Sequence, residues 1–159
     1  MVLIDTSVWV TVLRDKTGEV SDRLQAWMAG REPLLTRFSQ LELLQGCRNE
    51  EEWALLVDYL TGQTFVEARP STWPSAARIY FELRRAGKTV RSPIDCCIAQ
   101  LALENQLMLV HNDRDFEVIA ELRPLSQLRW ETCFRVETAI TGHPPHRSGR
   151  DQFGHPVPR

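Results

Sequence analysis

The sequence lacks the features that mark membrane, secreted and zinc-binding proteins. Its 159 residues contain no apolar run approaching the about 20 residues that a membrane-spanning helix needs. The N-terminus, Met1–Asp5, has no basic segment and meets an acid after a short apolar run, so it does not resemble a signal peptide. The four cysteines show no CxxC spacing, which argues against a zinc site or a disulfide framework. We therefore predict a cytoplasmic protein with no membrane segment and with packing roles for its cysteines, Cys47, Cys96, Cys97 and Cys133.

The chain also lacks an excess of positive charge. A formal net charge of -2 argues against a protein that coats nucleic acid non-specifically, although it allows a local basic surface. Hydrophobic residues make up 43% and charged residues 25%, as in an ordinary globular domain. We predict one domain over residues 1–140. Residues 141–159 contain four prolines and three glycines, so we predict a flexible tail there, with no metal-binding role for its histidines, His143, His146 and His155.

Short apolar runs alternate with helical patterns along most of the chain. The first run, Val2–Ile4, is fully apolar, as in a buried parallel strand, and Asp5–Ser7 after it supplies residues that begin helices. Further strands are predicted at residues 33–36, 64–67 and 107–110, with amphipathic helices between them. Strands that alternate with helices indicate an α/β fold, a mainly parallel central sheet with helices on both faces.

Five acidic residues lie where predicted elements begin or change: Asp5, Glu42, Asp95, Asp113 and Asp115. Each has a purely structural interpretation. Ser39–Glu42 and Ser92–Asp95 both fit the capping box that begins a helix, and Asp5 and Asp113 occupy expected N-cap positions. Capping and ligand binding are compatible, because a helix N-terminus keeps a nearby carboxylate ionised.

Two of these acids are expected at one edge of the sheet. Asp5 and Asp113 each follow a predicted buried strand, and open parallel sheets bind ligands outside the carboxyl ends of their strands. Two carboxylates about 5 Å apart repel by roughly 3 kcal/mol at an effective dielectric near 20, so a group of them needs protons or a cation. Oxygen-rich, histidine-poor ligand sets favour Mg²⁺, with Mn²⁺ as a substitute, over zinc. The acids therefore predict a hard-cation site.

Four segments together resemble the PIN-domain ribonucleases, and most closely the VapC-type toxins of bacterial toxin-antitoxin pairs. No single segment is specific, but their order and spacing extend over about residues 1 to 118. They are Val2-Leu3-Ile4-Asp5-Thr6-Ser7-Val8, Glu42-Leu43-Leu44-Gln45-Gly46, Ile94-Asp95-Cys96-Cys97-Ile98-Ala99 and Asn112-Asp113-Arg114-Asp115-Phe116. The resemblance implies a PIN-like three-layer sandwich and Mg²⁺-dependent hydrolysis of RNA phosphodiesters.

The resemblance also implies roles for individual residues. Asp5, Glu42, Asp95 and Asp113 would form the catalytic acidic cluster, with Asp5 and Asp95 as direct metal ligands. Asp115, Thr6 and Ser7 are outer candidates, and Thr6 and Ser7 have N-capping of the first helix as an equal alternative. One departure lies before Asp113, where such proteins often carry Thr and this chain has His111-Asn112. We interpret His111 as a packing residue.

Substrate and partner surfaces are also predicted. Four basic residues within eight precede the helix that carries Asp95, and Arg and Lys supply most sequence-independent affinity for phosphates; they are Arg84, Arg85, Lys88 and Arg91. A solvated loop at a helix end is the alternative. Trp9 and Trp27 lie on the two early helices, where they would help to form an apolar groove for a partner helix. The resemblance implies a VapB-type antitoxin docked beside the active site, and a homodimer.

Two other functions fit the same sequence. A PIN-like domain can hold a partner as a binding or regulatory module without catalysis, and a metal nuclease on this scaffold can act on DNA. The phosphoaspartyl phosphatase signature DxDxT is absent. The RNA that is cut, the identity of the antitoxin and the number of metal ions do not follow from these residues.

Overall fold

The structure, a computed structural model, describes residues 1–131. Within the described residues the elements follow in the order β1 (Val2–Ile4), α1 (Thr6–Arg14), α2 (Glu19–Trp27), β2 (Pro33–Thr36), α3 (Arg37–Gln45), α4 (Glu50–Thr61), β3 (Thr64–Val66), α5 (Thr72–Arg85), α6 (Pro93–Glu104), β4 (Met108–His111), α7 (Arg114–Ala120) and β5 (Gln127–Arg129). The five strands are parallel and form one sheet in the order β3-β2-β1-β4-β5. The predicted α/β fold with a parallel central sheet is confirmed.

The central strand β1 shows why the sheet needs helices on both faces. Its side chains alternate: Leu3 packs into one core with α5, α6 and α7, whereas Val2 and Ile4 pack into a second core with α1 and α2. A third group around Leu35 of β2 packs against α3 and α4. Because β1 is buried on both faces, it reads as a continuous apolar run in the sequence. The result is a three-layer sandwich.

Short polar side chains begin five of the helices. Asp5, Thr36, Asn49, Ser92 and Asp113 each accept a backbone N–H of the first turn. Asp5 and Asp113 were both predicted as N-caps. Ser92 was predicted to begin α6, with a proline in the first turn of the helix. These predictions are confirmed.

The predicted start of α3 is wrong. The predicted capping box makes Ser39 the N-cap, whereas the N-cap in the structure is Thr36. The helix therefore begins three residues earlier than predicted, at Arg37. The backbone N–H of Ser39 donates to Thr36 Oγ1 at 3.0 Å, and the two hydroxyl oxygens also lie 3.0 Å apart. Glu42 therefore lies in the second turn of α3 and does not cap the helix, so its carboxylate is not used by the helix end.

Strand β5 was not predicted. Gln127–Arg129 is short, only partly buried and polar at both ends, so it has no apolar pattern. It pairs with β4 at the edge of the sheet. The predicted end of the domain at residue 140 and the predicted tail lie outside the described residues. Within residues 1–131 no helix is both long and apolar enough to cross a membrane.

Candidate active site

The carboxyl ends of β1 and β4 bring two acids to one edge of the sheet. The strands are parallel neighbours, with Ile4 opposite Val110. Asp5 follows β1 directly, and its backbone N–H continues the ladder by donating to the carbonyl of Val110 at 2.9 Å. Asp113 follows β4 by two residues and begins α7. The expected shared edge is therefore present.

Asp5 uses one carboxylate oxygen to begin its helix. Its Oδ2 accepts the backbone N–H of Ser7 at 2.9 Å and also the Ser7 hydroxyl. The other oxygen, Oδ1, accepts no hydrogen bond from the described residues. The residue is only 6% exposed, and this burial raises the pKa of Asp5, although the two bonds from Ser7 act in the opposite direction. One oxygen is thus fixed and the other remains available for a ligand.

The two carboxylate oxygens of Asp113 also differ in their contacts. Its Oδ1 accepts the backbone N–H of Asp115 at 3.0 Å and an N–H of the Arg91 guanidinium, while Oδ2 accepts no hydrogen bond within residues 1–131. Helix capping therefore consumes half of each carboxylate. This is how two N-cap acids at the sheet edge can also serve a binding site.

Asp95 and Glu42 complete the group, which we call the acidic cluster: Asp5, Glu42, Asp95 and Asp113. Asp95 lies in the first turn of α6, and neither its carboxylate nor that of Glu42 has a hydrogen bond or ion pair in the described part of the chain. The pKa of Asp95 is raised to about 7, first by burial and then, in decreasing order, by the neighbouring carboxylates of Asp113, Asp115, Asp5 and Glu42. The fold therefore places the predicted acids within electrostatic reach of one another.

The donor chemistry of the acidic cluster fits a hard cation. No three His, Cys, Asp or Glu side chains among residues 1–131 lie close enough together to hold a metal ion as they stand. However, the cluster offers two carboxylates without partners and two more with one free oxygen each, and burial raises the pKa of two of its members, Asp5 and Asp95. An all-oxygen donor set of this kind suits Mg²⁺ or Mn²⁺. Rotation of these side chains would be needed to bring the oxygens onto one ion.

A polar network behind Asp5 was missed in the sequence. The Ser7 hydroxyl that donates to Asp5 also accepts the backbone N–H of Asn112 at 2.9 Å. The Asn112 side chain donates to Thr11 Oγ1 at 3.2 Å and accepts the backbone N–H of Glu131 at 2.9 Å. The i, i+4 spacing of Ser7 and Thr11 on α1 is the only sequence feature that hints at this network, and pairing with Asn112 requires the tertiary fold.

Two further predicted residues are accounted for. Thr6 is buried, and its hydroxyl has no hydrogen-bond partner in the described residues, so it neither caps α1 nor contacts an acid. His111 is fully buried, lies against the Phe116 ring at 5.0 Å between centroids and shares a 2.6 Å hydrogen bond between its Nε2 and Gln127 Oε1. These contacts agree with the interpretation of His111 as a packing residue.

The predicted basic residues fall into two groups. Arg84 and Arg85 are exposed in the last turn of α5 and have no carboxylate partner in the described chain, although Arg85 lies over the Phe81 ring. Lys88 forms an ion pair with Glu121, and Arg91 contacts both Asp113 and Asp115. Of these four residues, only Arg84 and Arg85 can thus meet a phosphate without breaking an ion pair seen in the described chain.

An apolar cavity of about 150 Å³ lies between α1, α2 and α4. Trp9, Leu13, Leu24, Met28 and Tyr59 are among the residues that line it. Trp27 was predicted to share this groove with Trp9, but its ring packs edge-on against Trp130 with 5.7 Å between centroids.

The cysteines have the expected packing role where they are described. Cys96 is buried, and burial raises the pKa of its thiol to about 12, so the reactive thiolate is suppressed. Cys47 and Cys97 are partly buried and free. Cys133 lies outside the described residues.

A parallel sheet with an acidic cluster at its carboxyl edge defines the class of α/β domains to which the PIN domain belongs. The sequence matches the PIN domain family over residues 2–122. The chain is 36% identical over 130 residues to the VapC ribonuclease Mb1587 of Mycobacterium bovis, an alignment that covers 79% of this chain and 96% of that protein. Its similarity to ribonuclease VapC11 of Mycobacterium tuberculosis is the same. The chain therefore belongs to the PIN-domain family, among the relatives of VapC.

Solved structures support the same fold. The VapBC2 structure from Rickettsia felis, bound to a DNA fragment from its promoter, matches with a TM-score of 0.67 at 18% identity and covers 82% of this chain and 99% of that one. The DNA-bound VapBC of Salmonella typhimurium matches with a TM-score of 0.66 at 21% identity over the same shares of the two chains. At these identities the likeness establishes the fold alone.

Proposed function

We propose that this chain is a metal-dependent endoribonuclease that acts as the toxin of a toxin-antitoxin pair. The observation that carries the proposal is the convergence of Asp5, Glu42, Asp95 and Asp113 at the carboxyl edge of the sheet, where Asp95 has a pKa raised to about 7. Relatives that are 36% identical over most of the chain are named as VapC ribonucleases, which supports RNA as the substrate.

The acidic cluster divides the work of phosphodiester hydrolysis. Asp5 and Asp95 would hold the cation, since Asp5 has a free Oδ1 and Asp95 has no competing partner. Glu42 and Asp113 would complete the shell or orient the attacking water through their unengaged oxygens. A divalent cation bound here would supply acidification of a water molecule and neutralisation of the charge on the phosphate. No histidine or serine nucleophile is required.

The experiment that tests this function is cleavage of structured RNA by the purified chain, freed of any co-purifying protein. The reaction is run with Mg²⁺, with Mn²⁺ and with EDTA. Asp95→Asn is the inactive variant, and Asp58→Asn, an exposed acid on α4, is the control for an equal change of charge. We expect metal-dependent cleavage that Asp95→Asn abolishes and Asp58→Asn retains.

The other outcomes identify the competing functions. Cleavage of single- or double-stranded DNA without cleavage of RNA would keep the site and replace the substrate. A folded, partner-free protein that cuts neither nucleic acid but binds a small protein tightly in EDTA would replace the nuclease with a binding module.

We also propose a VapB-type antitoxin and a homodimer for this chain. The structural neighbours are VapBC complexes, and this chain has an apolar cavity lined by Trp9 and Tyr59 that suits an apolar segment of a partner. Light scattering at micromolar concentration tests the dimer, because a monomer mass would contradict it.

A further inference from the structure

The loop that leads into α6 is fastened to α7 through one arginine. The backbone N–H of Arg91 donates to Asp115 Oδ2 at 2.9 Å, and its Nε donates to the same oxygen at 3.0 Å. A terminal N–H of the same guanidinium reaches Asp113 Oδ1. One side chain therefore joins the two acids of the Asp113–Asp115 turn to the segment that precedes Asp95.

The two acids meet Arg91 in different ways. Asp115 is only 6% exposed, and both hydrogen bonds that its carboxylate accepts within residues 1–131 come from Arg91, so it serves to anchor the arginine. Asp113 is more exposed and has Oδ2 free, so its contact with Arg91 fixes the orientation of a carboxylate that still has a ligand oxygen to offer. The planar guanidinium suits this task because its donors point in a fixed fork.

We propose that Arg91 is a positioning residue of the acidic cluster: anchored by Asp115, it holds Asp113 Oδ1 so that Oδ2 faces the cation-binding position. This inference rests on the proposed cation site, and it assigns Arg91 a role other than binding the RNA backbone. Asp115 then acts through Arg91 and does not bind the cation.

A change of arginine to lysine separates position from charge. Arg91→Lys keeps the positive charge near the acidic cluster but loses the fork that contacts two carboxylates at once. Arg48→Lys is the matched control. Arg48 also donates both its backbone N–H and its Nε to one carboxylate, that of Glu52, on an exposed surface outside the cluster.

The first readout is Mn²⁺ binding to the RNA-free chain, measured by calorimetry. We expect Arg91→Lys to weaken Mn²⁺ binding about ten-fold, the loss typical for a residue that orients a metal ligand, and Arg48→Lys to leave it unchanged. Wild-type affinity in Arg91→Lys would overturn the proposal. This readout needs no RNA, so it is independent of the nuclease function: a chain that cuts no RNA but loses Mn²⁺ affinity in Arg91→Lys would refute the nuclease and support the positioning role.

The second readout is a double-mutant cycle with Asp113→Asn. If Arg91 acts through Asp113, Arg91→Lys has no further effect on Mn²⁺ affinity in the Asp113→Asn background. Additive effects would show that the arginine acts elsewhere and would overturn the proposal.

The third readout separates positioning from substrate binding. In RNA cleavage we expect Arg91→Lys to lower kcat about ten-fold with KM within two-fold, because the affected group is an acid of the cluster. A raised KM with unchanged kcat and unchanged Mn²⁺ affinity would make Arg91 a phosphate contact instead. Thermal unfolding of each variant accompanies these measurements, and a lowered Tm with wild-type Mn²⁺ affinity and kcat would reduce Arg91 to a structural residue.

Discussion

Ser7 fixes Asp5 through two hydrogen bonds to the same carboxylate oxygen, one from its backbone and one from its hydroxyl. The hydroxyl also accepts the backbone N–H of Asn112, on the neighbouring β4–α7 turn. One small side chain therefore ties together the two turns that present Asp5 and Asp113. The orientation of Asp5 within the acidic cluster depends on this link.

Replacement of Ser7 tests the link. Ser7→Ala removes the hydroxyl and leaves the Asn112 N–H without its partner, so we expect a loss of about 1–2 kcal/mol in the free energy of unfolding by urea. On the proposed function, RNA cleavage falls as well. Ser7→Thr keeps the hydroxyl and should stay near wild type, and Ser75→Ala, whose hydroxyl makes no hydrogen bond in the described structure, is the control. An unchanged Ser7→Ala variant would contradict the link.

The raised pKa of Asp95 predicts that its ionisation lowers the stability of the protein as the pH rises. An acid with a lowered pKa has the opposite effect. The folded pKa of about 7 lies above the about 3.9 expected in the unfolded chain, so the folded state binds the proton more tightly. Ionised Asp95 therefore destabilises the metal-free protein, and this penalty grows as the pH rises from about 4 to about 7.

Asp95→Asn should remove that penalty. In EDTA at pH 8 we expect the variant to be more stable than the wild type by about 1–2 kcal/mol, a value reduced from the full shift because Asp95 is partly exposed. At pH 5 the difference should be much smaller. Urea unfolding at both pH values measures it, with Asp58→Asn, the same replacement at an exposed position on α4, as the control. Equal or lower stability of Asp95→Asn at pH 8 would refute the assigned environment.

The strands and helices that have a distinctive local sequence pattern were predictable from the sequence. Val2–Ile4 is apolar throughout because β1 is buried on both faces, and Ser92 followed by proline marks the start of α6. Strand β5 was missed because an edge strand of three partly buried residues has no distinctive pattern. The start of α3 was misplaced because Thr36, at the end of β2, serves the helix as its cap.

In the candidate active site, too, the features set by local sequence were predictable and the contacts set by the tertiary structure were not. Asp5, Asp95 and Asp113 were predictable as neighbours because they lie at strand ends and helix starts. Their hydrogen-bond partners were not predictable, because most of those contacts join residues far apart in sequence. Arg91 was predicted to meet RNA, but its partners Asp113 and Asp115 lie more than 20 residues away. Only the tertiary structure shows that this positive charge already faces the cluster.

The contact between Asp115 and Arg91 can be tested by measurements of protein stability without any measurement of activity. Asp115 is buried and accepts the backbone N–H and the Nε of Arg91, so we expect Asp115→Ala to cost about 1–3 kcal/mol of unfolding free energy, the range for leaving a hydrogen-bond donor without its partner. Glu121→Gln, which breaks the exposed pair with Lys88, should cost less than about 1 kcal/mol. Urea unfolding compares the two variants, and similar losses would contradict a special role for Asp115.

The unpaired arginines of α5 provide the last test, of the RNA surface. Arg84 and Arg85 have no carboxylate partner in the described residues, whereas Lys88 and Arg91 are already engaged, so the structure narrows the predicted phosphate contacts to this pair. Each phosphate contact contributes about 0.7 to the slope of log affinity against log salt for single strands. In an Asp95→Asn background that prevents cleavage, Arg84→Gln with Arg85→Gln should therefore weaken RNA binding and lower that slope by about 1.4.

Fluorescence anisotropy with labelled RNA across a series of salt concentrations measures this slope. The control changes the same amount of charge at exposed positions near the end of α1, Arg14→Gln with Lys16→Gln. If α5 meets the RNA backbone, only the α5 variant flattens the salt dependence. Equal flattening in both variants would show that net charge alone governs binding, and an unchanged slope in the α5 variant would remove α5 from the RNA interface.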